Sequence, residues 1–175
     1  ILHFLAEHER EFSIVVKQTE DEIAAINMAI GGAHMGARSM VATSGGGFSL
    51  MVEGLGLAAI TEVPIVVVLG QRPGPATGLP TWTGQADLRF ALHAAQDEFL
   101  RVLIAPGDPE EAFFAAAHAL QLAERYHIPV IMLTDKYLAE TVHAMPPFEE
   151  SKIKVTRDSF ADDAVLSAEA AKDGY

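Results

Sequence analysis

Hydrophobic and polar positions along the chain follow two alternating patterns. Short apolar runs such as 63-VPIVVVLG-70 alternate with longer stretches whose apolar residues recur at helical spacing. We predict strands over 13–18, 39–44, 65–70, 100–105 and 129–135, and helices over 1–11, 20–36, 48–61, 84–95, 109–126 and 136–141. This alternation is typical of an α/β fold, an open and mostly parallel sheet with helices on both faces.

Two of the predicted helix starts carry capping patterns. Thr19 and Asp108 are each followed three positions later by a glutamate, Glu22 and Glu111, as in a capping box. Pro109 also suits the first position of a helix. Both starts are therefore expected to be well defined.

Three consecutive acids, Glu20, Asp21 and Glu22, open the second predicted helix. One interpretation is structural, because Glu22 completes a capping box with Thr19 and all three acids suit the positive end of a helix dipole. The other is chemical. The helix beyond them is apolar or small, and a carboxylate that faces such a surface is desolvated, which suits proton transfer. The pattern alone leaves both interpretations open.

Two loops follow predicted strands and contain candidate binding residues. The first, 43-TSGGGFSL-50, fits a tight turn that a backbone or flat ligand approaches closely better than it fits a phosphate cradle. The second, residues 70–88, is a long loop rich in Gly, Pro and Thr at the carboxyl end of the most apolar strand, where ligands of such sheets bind. Its Arg72 is placed either to fork onto a ligand carboxylate or to pair with Asp87 or solvent.

Composition narrows the class of protein. Half of the 175 residues are hydrophobic and 21% are charged, which is typical of a globular domain. The net charge of −12 argues against nucleic acid or an anionic membrane as a partner. The chain has no cysteine, which fits a cytoplasmic protein, and its 7 histidines show no metal-ligand spacing, so we predict no metal site in it.

The chain is predicted to contain one domain, residues 1–145, whose start is truncated. Residues 146–175 begin with a proline pair and turn to charged and small residues, which indicates a linker or the beginning of a following domain, with an edge strand near 152–156. Because the sequence begins without Met inside a helical pattern, we expect it to be part of a longer polypeptide.

Three stretches together resemble the alpha subunit of 2-oxoacid:ferredoxin oxidoreductases, especially of the 2-oxoglutarate type. They are 20-EDEIAAINMAIGGAHMGAR-38, 43-TSGGGFSLMVEGLG-56 and 71-QRPGPATGLPTWTGQADL-88, of which the last is the most specific. The resemblance covers roughly residues 1–140. It departs at 45-GGGF-48, where the family often has Gly-Pro-Gly-Phe, and at 84-GQADL-88, where it often has Glu-Gln-Gly-Asp-Leu.

The resemblance implies the domain that binds the aminopyrimidine of thiamine diphosphate. It places at Glu22, or at Glu20 if the register slips, the glutamate that bonds ring nitrogen N1′ and promotes formation of the reactive ylid. It also implies that Arg72 and Thr81 hold the carboxylate of a 2-oxoacid. The wall beside the cofactor is implied to consist of Ser44, Gly45, Gly46, Gly47 and Phe48.

The family pattern for the diphosphate site, Gly-Asp-Gly followed by a distant Asn, is missing here. A partner beta subunit is therefore expected to hold the diphosphate with Mg²⁺ and to carry the [4Fe-4S] cluster. The implied activity is oxidative decarboxylation of a 2-oxoacid, 2-oxoglutarate by preference, to an acyl-coenzyme A with electrons passed to ferredoxin. Alternatives are the same chemistry on pyruvate or a branched-chain 2-oxoacid, or a non-catalytic α/β binding or regulatory module.

Overall fold

A computed structural model describes residues 1–157 and 163–173 of the chain. The helices are α1 (Leu2–Glu7), α2 (Glu22–His34), α3 (Gly45–Ile60), α4 (Leu88–His93), α5 (Pro109–Tyr126), α6 (Lys136–Glu140) and α7 (Asp163–Asp173), and the strands are β1 (Met40–Ser44), β2 (Val66–Gln71), β3 (Val102–Ile104) and β4 (Val130–Asp135). Within these residues the strands form one parallel sheet in the order β1-β2-β4-β3. The predicted parallel α/β fold is confirmed.

The register of the sheet brings the ends of three strands together. Gly70 of β2 pairs with Ser44 of β1 on one side and with Thr134 of β4 on the other. Because all three strands run in the same direction, their carboxyl ends lie level at one edge. Ligands of open parallel sheets bind at such an edge.

Helices cover both faces of the sheet, as predicted. Val67 and Leu69 of β2 belong to the core formed with α2, α3 and α4, whereas Val66 and Val68 belong to the core formed with α5. The continuous apolar run of β2 is explained by this burial on both faces. Among the described residues, no helix is both long and apolar enough to cross a membrane.

Helices α2 and α3 pack closely because Gly54 has no side chain at their contact. A Cβ atom at Gly54 would lie 2.6 Å from Cγ2 of Ile26, and Ile26 is completely buried. Gly56 lies two residues further along α3. A Cβ atom at Gly56 would have its nearest neighbour at an ordinary distance, 3.7 Å from the Cβ of Ala95. The two glycines therefore differ in whether a methyl group fits.

The predicted strand at 13–18 is wrong. Residues 14–19 form no regular structure, Ser13 has a positive φ of 52°, and Val15 is 80% exposed. The backbone N–H of Val16 donates to Oε1 of Glu9 (2.9 Å) instead of to a neighbouring strand. A β-branched run becomes a strand only where a sheet offers it an unpaired edge, and the pattern carries no information on that.

The predicted edge strand at 152–156 is also wrong. Glu150–Lys152 forms a 3₁₀ helix, and side chains of the domain bond the backbone that follows. Gln121 of α5 donates to the carbonyl of Lys154, and Arg38 Nη2 donates to the carbonyl of Thr156 at 2.5 Å. These contacts hold the segment against the domain without a sheet ladder.

Arg38 also forms a two-pronged ion pair with Glu124 of α5. Its Nε and Nη2 lie 2.9 Å and 2.6 Å from the two carboxylate oxygens. Hydrogen bonding to Arg38 lowers the pKa of the Glu124 carboxyl below its ordinary value of 4.5, although partial burial opposes this shift.

We predict that Gly54→Ala destabilises the protein by about 1–3 kcal/mol, because the added methyl overlaps Ile26 and forces α2 and α3 apart. Gly56→Ala is the matched control on the same helix, and it should be neutral or stabilise by up to ~1 kcal/mol. Chemical denaturation of the two variants measures the difference. Equal effects of the two substitutions would contradict the packing described here.

A second prediction concerns acid stability. Since the pKa of Glu124 is lower in the folded than in the unfolded protein, its ion pair stabilises the fold above the unfolded pKa, and this stabilisation is lost as pH falls through the folded pKa. Glu124→Gln should therefore make the free energy of unfolding less dependent on pH between about pH 5 and pH 3. The control is Glu53→Gln, at an exposed position of α3. Denaturation curves at several pH values test this, and an unchanged slope for Glu124→Gln would disprove it.

Candidate functional site

Asp21, rather than Thr19, caps helix α2. Its carboxylate accepts the backbone N–H of Ala24 at 2.7 Å, whereas the Thr19 hydroxyl donates to the carbonyl of Asp21 at 2.9 Å. The predicted capping box between Thr19 and Glu22 is therefore wrong. At the other predicted start Asp108 does cap α5, with Glu111 N–H at 2.8 Å.

The carboxylate of Glu22 is therefore not needed to cap α2. In residues 1–157 and 163–173, no hydrogen bond or ion pair holds it, although Glu22 is only partly exposed at the first position of α2. Glu20 lies before the helix and is exposed. The two acids therefore differ in surroundings, since Glu20 is exposed and Glu22 lies against Gly47 of α3.

Gly47 of α3 lies directly against the Glu22 side chain. A Cβ atom at Gly47 would be 2.7 Å from both Cγ and Oε1 of Glu22 and would overlap Oγ1 of Thr43. The missing side chain thus lets the acid of α2 and the hydroxyl at the end of β1 approach the same spot. The glycine run therefore serves close approach, and it forms the first turn of α3 rather than a loop before it.

The positive end of α3 is occupied by Asp87. Ser44 makes no side-chain cap bond there, and Oδ1 of Asp87 lies 2.7 Å from where a Gly45 Cβ would be. The other oxygen, Oδ2, accepts the backbone N–H of Arg72 at 3.4 Å. A carboxylate at a helix N-terminus is favourable, so the protein itself supplies the anion that the glycine run could have attracted.

The guanidinium of Arg72 has no carboxylate partner in the described part of the chain. Asp87 bonds its backbone and not its side chain, contrary to the surface-pair interpretation. Nε of Arg72 is buried without a hydrogen-bond partner, and Nη2 lies 3.6 Å from where a Gly46 Cβ would be. Because Asp87 occupies the positive end of α3, the guanidinium of Arg72 is the group that would attract an anion here.

An open cleft of about 370 Å³ lies at the carboxyl edge of the sheet. It is lined by Ser44, Arg72 and Thr81, which the sequence predicted as site residues, and also by Thr43. Glu22 does not line this cleft. Thr43 joins the two parts of the site, since it lines the cleft and also meets the Glu22 side chain at Gly47.

Phe48 is placed differently from the other candidates. Its side chain is completely buried and packs edge-to-face on Phe90, with ring centroids 5.2 Å apart. The side chain therefore belongs to the core. A contact of Phe48 with the cofactor stays a prediction, and the backbone would have to make it.

Sequence reasoning named neither Thr43 nor Gln71 as a site residue, and it named Asp87 only as a partner for Arg72. Thr43 and Gln71 are polar residues near the ends of strands whose ends meet at one edge, which is the signal that could have found them. Across residues 1–157 and 163–173, His, Asp and Glu side chains form no group of three or more that could hold a metal ion.

The fold and site define a class: a parallel α/β domain with a carboxylate and an arginine near the carboxyl edge of its sheet, neither of them in an ion pair within the described residues. Comparison with known proteins identifies the family. Residues 1–171 match the family described as pyruvate flavodoxin/ferredoxin oxidoreductase, thiamine diphosphate-binding. The chain belongs to this family, which confirms the resemblance found in the sequence.

Individual relatives agree with this assignment. The chain is 55% identical over 138 residues to the 2-oxoacid:ferredoxin oxidoreductase subunit alpha of Saccharolobus solfataricus, covering 79% of this chain and 22% of the relative. It is 43% identical over 162 residues to the 2-oxoglutarate oxidoreductase subunit KorA of Mycobacterium tuberculosis, covering 88% and 25%. The chain thus spans about a quarter of the length of these relatives.

A solved structure shares the fold. The 2-oxoglutarate:ferredoxin oxidoreductase from Magnetococcus marinus, determined with 2-oxoglutarate, coenzyme A and succinyl-CoA bound, superposes with a TM-score of 0.88 at 36% sequence identity. The match covers 92% of this chain and 28% of that one.

We predict that Gly47→Ala weakens thiamine diphosphate binding by about tenfold or more, because the added methyl displaces Glu22 and Thr43. The measurement is a cofactor titration of the complete enzyme. Gly31→Ala is the control, since a Cβ at Gly31 of α2 meets nothing within 4 Å. Parental affinity in Gly47→Ala would show that the Glu22 carboxylate is not needed where the structure places it.

Proposed function

We propose that the chain is the pyrimidine-binding portion of the alpha subunit of a 2-oxoacid:ferredoxin oxidoreductase. Its reaction is the oxidative decarboxylation of 2-oxoglutarate to an acyl-coenzyme A, with electrons passed to ferredoxin. The observation that carries the proposal is the free carboxylate of Glu22, seated on Gly47 and joined through Thr43 to a cleft with an unpaired Arg72.

The residues fit thiamine diphosphate at this edge. Gly47 leaves open the space beside the Glu22 carboxylate, and Asp21 has taken over the capping that would otherwise engage it. Glu22 can therefore hold a proton on one oxygen and share it with ring nitrogen N1′ of the aminopyrimidine. Ser44 and the backbone of Gly45–Phe48 form the adjoining wall. When bound, thiamine diphosphate supplies the nucleophilic carbon and the electron sink that decarboxylation of a 2-oxoacid needs.

Arg72 and Thr81 orient the substrate. A guanidinium presents paired N–H donors that match a carboxylate, and Arg72 forms no ion pair with an acid of the described residues. Thr81 lines the same cleft and adds a hydroxyl donor. Fixing the carboxylate fixes the neighbouring 2-oxo carbon relative to the cofactor, which is the positioning that decarboxylation requires.

The remaining parts of the enzyme are assigned to a partner beta subunit, which holds the diphosphate with Mg²⁺ and carries the [4Fe-4S] cluster. The lack of a Gly-Asp-Gly pattern in this sequence supports that division. The preference for 2-oxoglutarate over pyruvate or a branched-chain acid is supported by the names of the Mycobacterium relative and of the Magnetococcus structure. We assign the complex to the cytoplasm.

The proposal predicts that Glu22→Gln slows substrate-dependent reduction of the iron–sulfur centre by about a hundredfold or more, because an amide cannot exchange a proton with N1′. Since Asp21 caps α2, the melting temperature should stay at its parental value. Glu20→Gln is the matched control, two positions away and exposed, and should react at the parental rate. The assay uses the full-length alpha and beta subunits together.

Two outcomes would overturn this assignment. A selective loss of rate in Glu20→Gln would move the catalytic role to Glu20, the alternative register. Parental rates in both variants would mean that neither acid takes part in the reaction, and the assignment of the cofactor's acid to the start of α2 would be wrong.

A further inference from the structure

The cleft contains a buried amide that the proposed function leaves unused. Gln71, the last residue of β2, is 7% exposed and lines the cleft together with Arg72 and Thr81. It is the one buried polar residue in the part of the chain that the structure describes. The four strand residues before Gly70 are all apolar and buried, so a glutamine here departs from the pattern of the strand.

Among the residues that the structure describes, the side-chain oxygen of Gln71 has no hydrogen-bond partner. Its neighbour across the sheet, Asp135, is already engaged, with Oδ1 accepting the N–H of Leu138 at 2.8 Å and Oδ2 accepting Nε2 of Gln85 at 2.9 Å. A carboxylate could in any case not donate to an amide oxygen. Strand β4 therefore supplies no donor for this atom.

The next residue, Arg72, has a buried donor that could complement this acceptor. Among the described residues, two buried side-chain polar atoms lack a partner: the acceptor Oε1 of Gln71 and the donor Nε of Arg72. Buried polar groups are almost always paired, and groups left unpaired cluster where a ligand completes the network. Arg72 lies just past the end of β2, so its side chain is not held to one face of the sheet as a strand residue is.

We propose that Gln71 is a positioning residue for Arg72 in the substrate-bound enzyme. The amide oxygen of Gln71 accepts the Nε–H of Arg72, which turns the two terminal nitrogens of the guanidinium toward the substrate carboxylate. The amide nitrogen remains free to donate to the same carboxylate. This inference rests on the proposed function, because it requires that a carboxylate substrate binds Arg72.

The test uses the complete alpha–beta enzyme and compares KM and kcat for 2-oxoglutarate. Gln71→Met keeps the length of the side chain and removes the acceptor, so KM should rise about tenfold while kcat changes less than about twofold. Gln96→Met, at an exposed position after α4, is the control and should keep both parental constants. Melting temperatures show whether each variant is folded.

A second variant separates positioning from packing. Gln71→Glu has nearly the same shape and keeps an oxygen acceptor, but its charge pairs with Arg72 and competes with the substrate. Its KM should exceed that of Gln71→Met and should fall as pH is lowered and the introduced carboxyl is protonated. This variant also provides the test if Gln71→Met does not fold. The pH dependence would show that the side chain at position 71 reaches the Arg72 guanidinium, as positioning requires and packing away from Arg72 does not.

The outcomes distinguish this inference from the proposed function. If the parent enzyme oxidises 2-oxoglutarate but Gln71→Met and Gln71→Glu keep its KM, Gln71 does not position Arg72 and only this inference is overturned. If the parent oxidises no 2-oxoacid, the proposed function fails and the inference fails with it. A rise in KM that is equal in the two variants and independent of pH would mean that Gln71 acts by packing alone, which also overturns the inference.

Discussion

The site depends on one steric constraint, the absence of a side chain at Gly47. Any larger residue would overlap both Thr43 at the end of β1 and Glu22 at the start of α2. Gly54 extends the same constraint along the helix pair, because it lets α3 rest on Ile26. Close packing of α2 on α3 is thus what brings an acid from one helix to the edge of the sheet, where the strands present their own polar residues.

The acids near the site have different surroundings as a result of this packing. Asp21 satisfies the open end of α2 and Asp87 occupies the open end of α3, so both helix ends are stabilised by residues other than Glu22. Glu22 is thereby left without a bond in the described residues, and Arg72 without a carboxylate. The proposed function uses both groups, since Glu22 would face the aminopyrimidine and Arg72 would hold the substrate carboxylate, with Thr43 between them.

Local patterns predicted most of the fold and failed where a partner decides the structure. The run around β2 and the cap at Asp108 are readable because burial on two faces and N-cap chemistry leave direct marks in sequence. Residues 13–18 and 152–156 have strand composition but meet no free sheet edge. Their backbones bond side chains instead, and no pattern within the segment could reveal that.

The candidate site could also be predicted only in part, because some of its contacts join residues distant in sequence. The resemblance singled out Glu22, Arg72 and Thr81, whereas spacing alone left Glu22 open between a capping role and a chemical one, and the structure gives the cap of α2 to Asp21. The position of Asp87 depends on a contact between elements distant in sequence. Asp87 meets Gly45 across more than forty residues, a proximity that follows only from the way β1 and β2 end side by side.

We propose that Glu22, which is not needed to cap α2, faces the aminopyrimidine of the cofactor. The most direct measurement is an experimental structure of the complete alpha–beta enzyme with thiamine diphosphate bound. We expect a carboxylate oxygen of Glu22 within about 3 Å of ring nitrogen N1′, with the Glu22 side chain still resting on Gly47. A ring nitrogen N1′ bonded to Glu20, or facing no carboxylate of this chain, would contradict it.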